Sequence, residues 1–396
     1  MNAPRVTAAA VVILSGMVAA LHIGKMPPAI PVLRGALGVT LLEAGFLLSL
    51  VQLAGMSLGV LIGVAADGLG FRRAMLGGQL LLALASLAGA WARAPAELLA
   101  LRGLEGLGFL LVALSAPSLI RQLVPPARLA VYLGFWGTYM ASGTSVALLA
   151  GPAVIAALGW PGWWMLLAGV SALMAAWIAV AVPADRRTGV PAAAAPDTWW
   201  QRLRLTLSCA GPWRVALIFL LYAGQWLAVI GFLPSIYAQA GLGGQLAGAL
   251  TALASLANVT GNIAAGRLLH RGVCARHLIY AGFVAMAVGA ALAFGPVSED
   301  APVLRYLAVL MFSALGGLIP ATLFSVAVHV APSERTVSTT VGWLQQCSST
   351  GSFVGPPLVA WVAGAVGGWQ WTWAVTGLAC VLGLILARGI QFRRHA

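Results

Sequence analysis

Long apolar windows alternate with short joints of glycine, proline and arginine along the whole chain. Their lengths fit membrane-spanning helices, each needing about 20 apolar residues. The spacing predicts twelve spans, at residues 8–33, 41–65, 74–92, 96–122, 129–158, 162–183, 213–239, 244–267, 277–297, 302–329, 336–363 and 369–390. The widest gap, 184–212, reads as a linker between an N-terminal six-helix bundle (1–183) and a C-terminal one (213–396). Its end, Trp199-Trp200-Gln201-Arg202-Leu203-Arg204, reads as a short amphipathic helix with its aromatic pair at headgroup level. The first apolar run could pass for a signal peptide. It continues past His22 and Lys25 to Leu33, and so reads as an uncleaved first helix.

Composition agrees with an all-α membrane protein. Of the 396 residues, 61% are hydrophobic and 8% charged, against roughly 25% charged in a soluble domain. The net charge of +13 does not point to nucleic acid, because the arginines lie in loops between apolar runs. Seventeen of the 22 basic residues fall on the side of the termini and the even-to-odd loops, and five (Lys25, Arg34, Arg93, Arg102 and Arg305) on the other. Positive charge gathers on the cytoplasmic side, so both termini are expected there. The Arg, Ala and Gly bias suggests a GC-rich bacterium, hence its inner membrane. Cys209, Cys274, Cys347 and Cys380 are far apart and match no metal or redox spacing, so they read as unpaired thiols.

Displacing the chain by 203 positions superimposes unusual residues: Pro31 on Pro234, Gly45 on Gly248, Gly63 on Gly266, Arg102 on Arg305, Pro117 on Pro320. The repeat holds six spans, an even number, so the halves are expected to be parallel, with a site between them near mid-bilayer.

The joint after span two reads Gly63-Val-Ala-Ala-Asp67-Gly-Leu-Gly70-Phe-Arg72-Arg73. It resembles the loop between the second and third helices of the major facilitator superfamily, Gly-x-x-x-Asp-(Arg/Lys)-x-Gly-(Arg/Lys)-(Arg/Lys). Gly63, Asp67, Gly70 and Arg72 match, while Gly68 and Phe71 depart from it. The resemblance implies twelve helices, alternating access, and a latch in which Asp67 accepts hydrogen bonds in one conformational state. The second half carries a decayed copy with His270 in the place of Asp67.

Span four opens Leu101-Arg102-Gly103-Leu104-Glu105-Gly106-Leu107-Gly108 and is similar to the same family's Arg-x-x-Gln-Gly-x-Gly pattern. An arginine inside a span is costly and marks a functional candidate. Glu105 lies three residues on, on the same helix face. The two form either a structural ion pair or a proton-coupling one. Span five holds Ser142-Gly143-Thr144-Ser145 and Gly151-Pro152, which partly resembles the glycine-rich exporter motif; the alternative is close helix packing.

Span one holds His22-Ile-Gly-Lys25-Met-Pro27-Pro28, similar to an Arg-Pro-Pro element of the cyanate/nitroimidazole-type branch with lysine in place of arginine. Lys25 either binds an anionic group of a substrate, with His22 as partner, or snorkels to the outer interface. Tyr139, Gln225, Asn258 and Gln346 are further candidates to line the cavity. Gln225 falls on His22 in the repeat. The chain has no nucleotide-binding loop, zinc spacing, haem motif or triad pattern, so neither an enzyme nor a cofactor is expected.

The expected function is secondary transport of a small anionic or polar solute, with protons as candidate coupling ions and the lipid bilayer as surroundings. The chain is expected to work as a monomer. A multidrug or metabolite exporter of the same fold is the alternative, and a membrane sensor a more distant one.

Overall fold

The computed structural model describes residues 3–58, 70–125, 128, 132, 135–184, 199–296, 301–333 and 336–389. These are helical with no strand among them, as a hydrocarbon surrounding that supplies no hydrogen bonds to open backbone requires. Span one is α1 (Ala3–Gly24) and α2 (Met26–Leu37), joined at Lys25. Span two starts with α3 (Leu41–Ser49) and runs on through a 3-10 turn to Leu58. Thr40 and Glu43 cap α3 reciprocally: the Glu43 amide donates to Thr40 Oγ1 at 3.2 Å, and the Thr40 amide to Glu43 Oε2 at 2.8 Å.

Next come α4 (Phe71–Gly89), α5 (Pro95–Leu123) and α6 (Tyr139–Ala181). The short α7 (Trp199–Leu207) is followed by α8 (Ala210–Gln239), α9 (Gly244–His270) and α10 (Ala275–Phe294). Span ten is α11 (Pro302–Gly316) with α12 (Leu318–Val330), and the chain ends in α13 (Val337–Val366) and α14 (Thr372–Arg388). Proline opens α5 and α11 in the first turn, where its missing N–H costs nothing.

Among the described residues, nine helical stretches are long and apolar enough to cross a membrane. The longest, α6, has 43 residues and is broken at Gly159, whose φ of 71° only glycine adopts without strain. It therefore makes two crossings. The helices α4 and α13 have 19 and 30 residues, enough to cross, though they are more polar. The expected order of twelve spans results, with ends displaced by a few residues. Within the expected linker, α7 occupies the place read as a short amphipathic helix, and α8 begins at Ala210, within the linker's last three residues.

Spatial contact groups the chain into two compact units: 1–185 with 229–256, and 186–228 with 257–396. The first has a core of Val11, Val12, Met75, Leu82, Phe109, Leu119 and Ile178, from α1, α4, α5 and α6. The second buries Phe283, Met286, Phe312, Ile319 and Leu323, from α10, α11 and α12.

Small residues set how closely the first unit's helices approach. A Cβ on Gly24 would lie 2.6 Å from the Thr144 carbonyl oxygen, and one on Gly151 would lie 2.8 Å from Pro28 Cγ. The Gly-rich stretch of span five is thus a packing surface for span one, the second of its two expected readings. Gly24→Ala is expected to lower the melting temperature by several degrees, because backbone must move by overpacking costs of about 1–3 kcal/mol. Gly35→Ala, with open space around it, should leave stability unchanged or raise it slightly. Thermal scans of both variants check this.

Candidate functional site

The break at Lys25 follows from the two prolines after it. Pro27 and Pro28 have no N–H to offer the carbonyls one turn back, so α1 ends at Gly24 and α2 begins at Met26. At about 1.5 Å per residue, Lys25 lies some 33 Å along span one, with 12 further residues beyond it in α2. It is 0% exposed. The expectation that Lys25 snorkels to the interface fails here, because α2 carries the span onward and the side chain is buried with its ammonium on other spans.

The Lys25 ammonium donates instead to Glu105 Oε1 and, at 3.2 Å, to Ser86 Oγ. It also stands 4.6 Å from the centre of the Trp164 ring, a favourable placement for a cation. Arg102 holds the other carboxylate oxygen: its Nη1 donates to Glu105 Oε2 at 2.7 Å and to the His22 carbonyl at 2.5 Å. Its Nε donates to the Leu47 carbonyl at 2.8 Å. His22 Nδ1 lies 3.6 Å from Glu105 Oε1, and its Nε2 lies 2.8 Å from Ser171 Oγ. Trp163 Nε1 donates to the Lys25 carbonyl at 3.3 Å.

Five spans of the first unit thus meet in one cluster around the Glu105 carboxylate, which is 2% exposed, as is Arg102. Two cations share a single anion. Such an arrangement survives burial because the carboxylate faces both cations and each cation has further hydrogen bonds. A void of about 10 Å³ lies beside Lys25, Arg102, Glu105 and Trp164, room for roughly one water.

Ser86, Trp164 and Ser171 are members of this cluster that the sequence reading missed. A signal was present in span three: Ser86 and Gln79 are seven residues apart on one helix face, and both are buried. Gln79 donates to Ser15 at 2.9 Å, tying α4 to α1.

The remaining candidates have other partners. Tyr139 stacks on Trp136 with centroids 4.1 Å apart. Asn258, in the second unit, donates to Tyr222 Oη at 2.8 Å and to the Ser313 carbonyl at 2.9 Å, and it accepts from Asn262 at 3.0 Å. Gln225, also in the second unit, accepts from the Cys380 thiol at 3.3 Å. Gln346 is half-buried. Arg305, the repeat partner of Arg102, has the Gly295 carbonyl at 3.4 Å, and Ala308 stands in the repeat position of Glu105. Of the latch, Gly63 and Asp67 lie outside the described residues. Gly70 takes a φ of 86° just before α4, and Arg72 donates to the Ala179 carbonyl at 2.6 Å.

An all-helical polytopic chain with a charge cluster inside its spans has the architecture of a membrane transporter, and comparison with known proteins agrees. The sequence matches the profile of the Major Facilitator Superfamily over residues 11–341 and 216–396; the chain belongs to that family. A puromycin resistance protein of Streptomyces alboniger is 33% identical over 162 residues, which are 41% of this chain and 32% of that protein. The match therefore spans about a third of that relative's length.

Two solved structures share the fold at low identity. A bacterial homolog of the human lysosomal transporter Spinster, inward-facing and occupied, superimposes with a TM-score of 0.77 at 13% identity, covering 98% of this chain and 96% of the other. A D-xylose-proton symporter gives 0.75 at 14% identity, covering 96% and 97%. The protein is thus a multi-pass membrane transporter of this superfamily.

Proposed function

We propose that the protein is a secondary active transporter that moves a small anionic or polar solute by alternating access, with Glu105 carrying the coupling proton. The sharing of one buried carboxylate by Lys25 and Arg102 carries this reading. While Glu105 is ionised, it occupies the Lys25 ammonium. Protonation removes the carboxylate's charge and frees that ammonium for an anionic group of the solute. Proton and anion then move together, because each makes room for the other at Lys25. His22, within 3.6 Å of Glu105, is placed to pass the proton. Among the structures with this fold, the D-xylose-proton symporter is a carrier named for the same coupling ion.

The amides of Gln225 and Asn258, with Gln346 and the Tyr139 ring, are the proposed uncharged contacts. Asp67, with Gly63, Gly70 and Arg72, is the proposed latch. The 17-to-5 division of basic residues supports both termini inside, and the Arg, Ala and Gly bias supports a bacterial inner membrane. A thermal-shift panel of small anions on purified protein tests the reading, since a ligand that binds the folded state stabilises it. At least one anion should raise the melting temperature of the parent protein and fail to do so for Lys25→Met. Equal shifts in both would remove Lys25 from the site.

A second reading, drug export, is favoured by the likeness to the puromycin resistance protein. It expects cells expressing the chain to tolerate a higher puromycin concentration than control cells. Unchanged tolerance would count against it.

A further inference from the structure

The helix α7 takes no part in the transport reading, yet it has a face of its own. Trp200, Leu203, Arg204, Leu207 and Ser208 recur at helical spacing and line one groove of about 470 Å³. Two leucines and a tryptophan wall the groove, and Arg204 is exposed at it. Trp200 is 62% exposed. The helix has nine residues, too few to cross a bilayer and suited to lying along its surface.

Among the described residues of this segment, charge has one sign. Residues 199–214 hold Arg202, Arg204 and Arg214 and no acid. Arg202 keeps a buried Nε without a hydrogen-bond partner. Arg214 is bound to the Gly389 carbonyl, a neutral group. The groove therefore presents an apolar slot beside a cation that no carboxylate of the described residues neutralises.

The helix is also held in place. The Trp213 indole donates to the Leu207 carbonyl at 2.8 Å, closing the end of α7. The same ring meets Trp343 of α13 edge-on, with centroids 4.7 Å apart. The slot is thus fixed against the start of a spanning helix rather than carried on a loose tether.

We propose that this face of α7 is a binding site for one anionic phospholipid of the leaflet on which it lies. An acyl chain lies along Trp200, Leu203 and Leu207, and the phosphate rests at Arg204. The charge favours an anionic headgroup over a zwitterionic one, and anionic lipids are a feature of cytoplasmic leaflets. Through Trp213 and Trp343, the bound lipid steadies the start of α13.

Native mass spectrometry of the full chain in detergent, titrated with phosphatidylglycerol and with phosphatidylcholine of the same acyl chains, tests this. One phosphatidylglycerol should be retained about fivefold more tightly than phosphatidylcholine, and Arg204→Glu should abolish the difference. Trp200→Ala should weaken retention of both lipids, through the loss of the groove wall. Arg271→Glu, an exposed arginine beyond α9, should leave the preference intact. Arg204 is exposed, so its variant should melt with the parent in phosphatidylcholine. Equal retention of the two lipids by the parent would overturn the proposal. So would an Arg204→Glu protein that keeps the preference, or an Arg271→Glu protein that loses it equally, which would make the effect one of diffuse charge.

Discussion

Glu105→Gln is expected to lower the melting temperature of the purified protein by roughly 10 °C, more than any other single change among the buried charges. Lys25 and Arg102 are 0% and 2% exposed and share Glu105. Removing the carboxylate's charge leaves two cations buried with none opposite, and breaking a buried pair by loss of one partner costs about 3–5 kcal/mol. Arg102→Met should do less harm. It leaves the Lys25–Glu105 pair neutral, but strips donors from the Leu47 and His22 carbonyls.

Lys25→Met should do least, because the neutral Arg102–Glu105 pair remains and the methionine fills most of the lysine's volume. Thermal scans of the three variants in one detergent read this order directly. Equal falls, or Lys25→Met as the worst, would mean that the cluster is not balanced as the distances indicate.

The second large effect separates function from stability. Lys25→Met should weaken binding of an anionic solute about 10- to 100-fold, the worth of one charge-assisted hydrogen bond, while the protein stays folded. Titration of the best anion from the thermal-shift panel, followed by melting temperature or calorimetry, measures it. A structural lysine would give the opposite pattern, with stability lost and affinity kept.

Most of the fold was legible in the sequence because its signal is local. Twelve apolar windows, each about a bilayer thick, leave little choice of element. Even the break in α6 was announced by Gly159 and Pro161 between two windows. The Arg102–Glu105 pair was legible for the same reason, since three residues on a helix put both on one face. The partnership of Lys25 with Glu105 was not. The two are 80 residues apart, and their meeting depends on how α1 and α5 sit in register across a packed interface. Nothing in either span alone encodes that register.

The same limit explains why Lys25 could be read as an interfacial lysine. Its depth depends on α2 continuing the span beyond two prolines, which ordinarily end a helix. Ser86, Trp164 and Ser171 were passed over because serines and tryptophans inside a span commonly serve packing. Only the convergence of their helices brings Ser86 and Trp164 to Lys25, and Ser171 to His22.

The central claim is that Glu105 carries the proton that moves with the solute. It is tested most directly by proton flux in proteoliposomes loaded with a pH-sensitive dye. The anion that best stabilises the protein is added outside, below the variant's melting temperature. With the parent protein the lumen should acidify as the anion enters, and with Glu105→Gln the acidification should vanish. A Glu105→Gln protein that acidifies the lumen at the parent's rate would contradict the account.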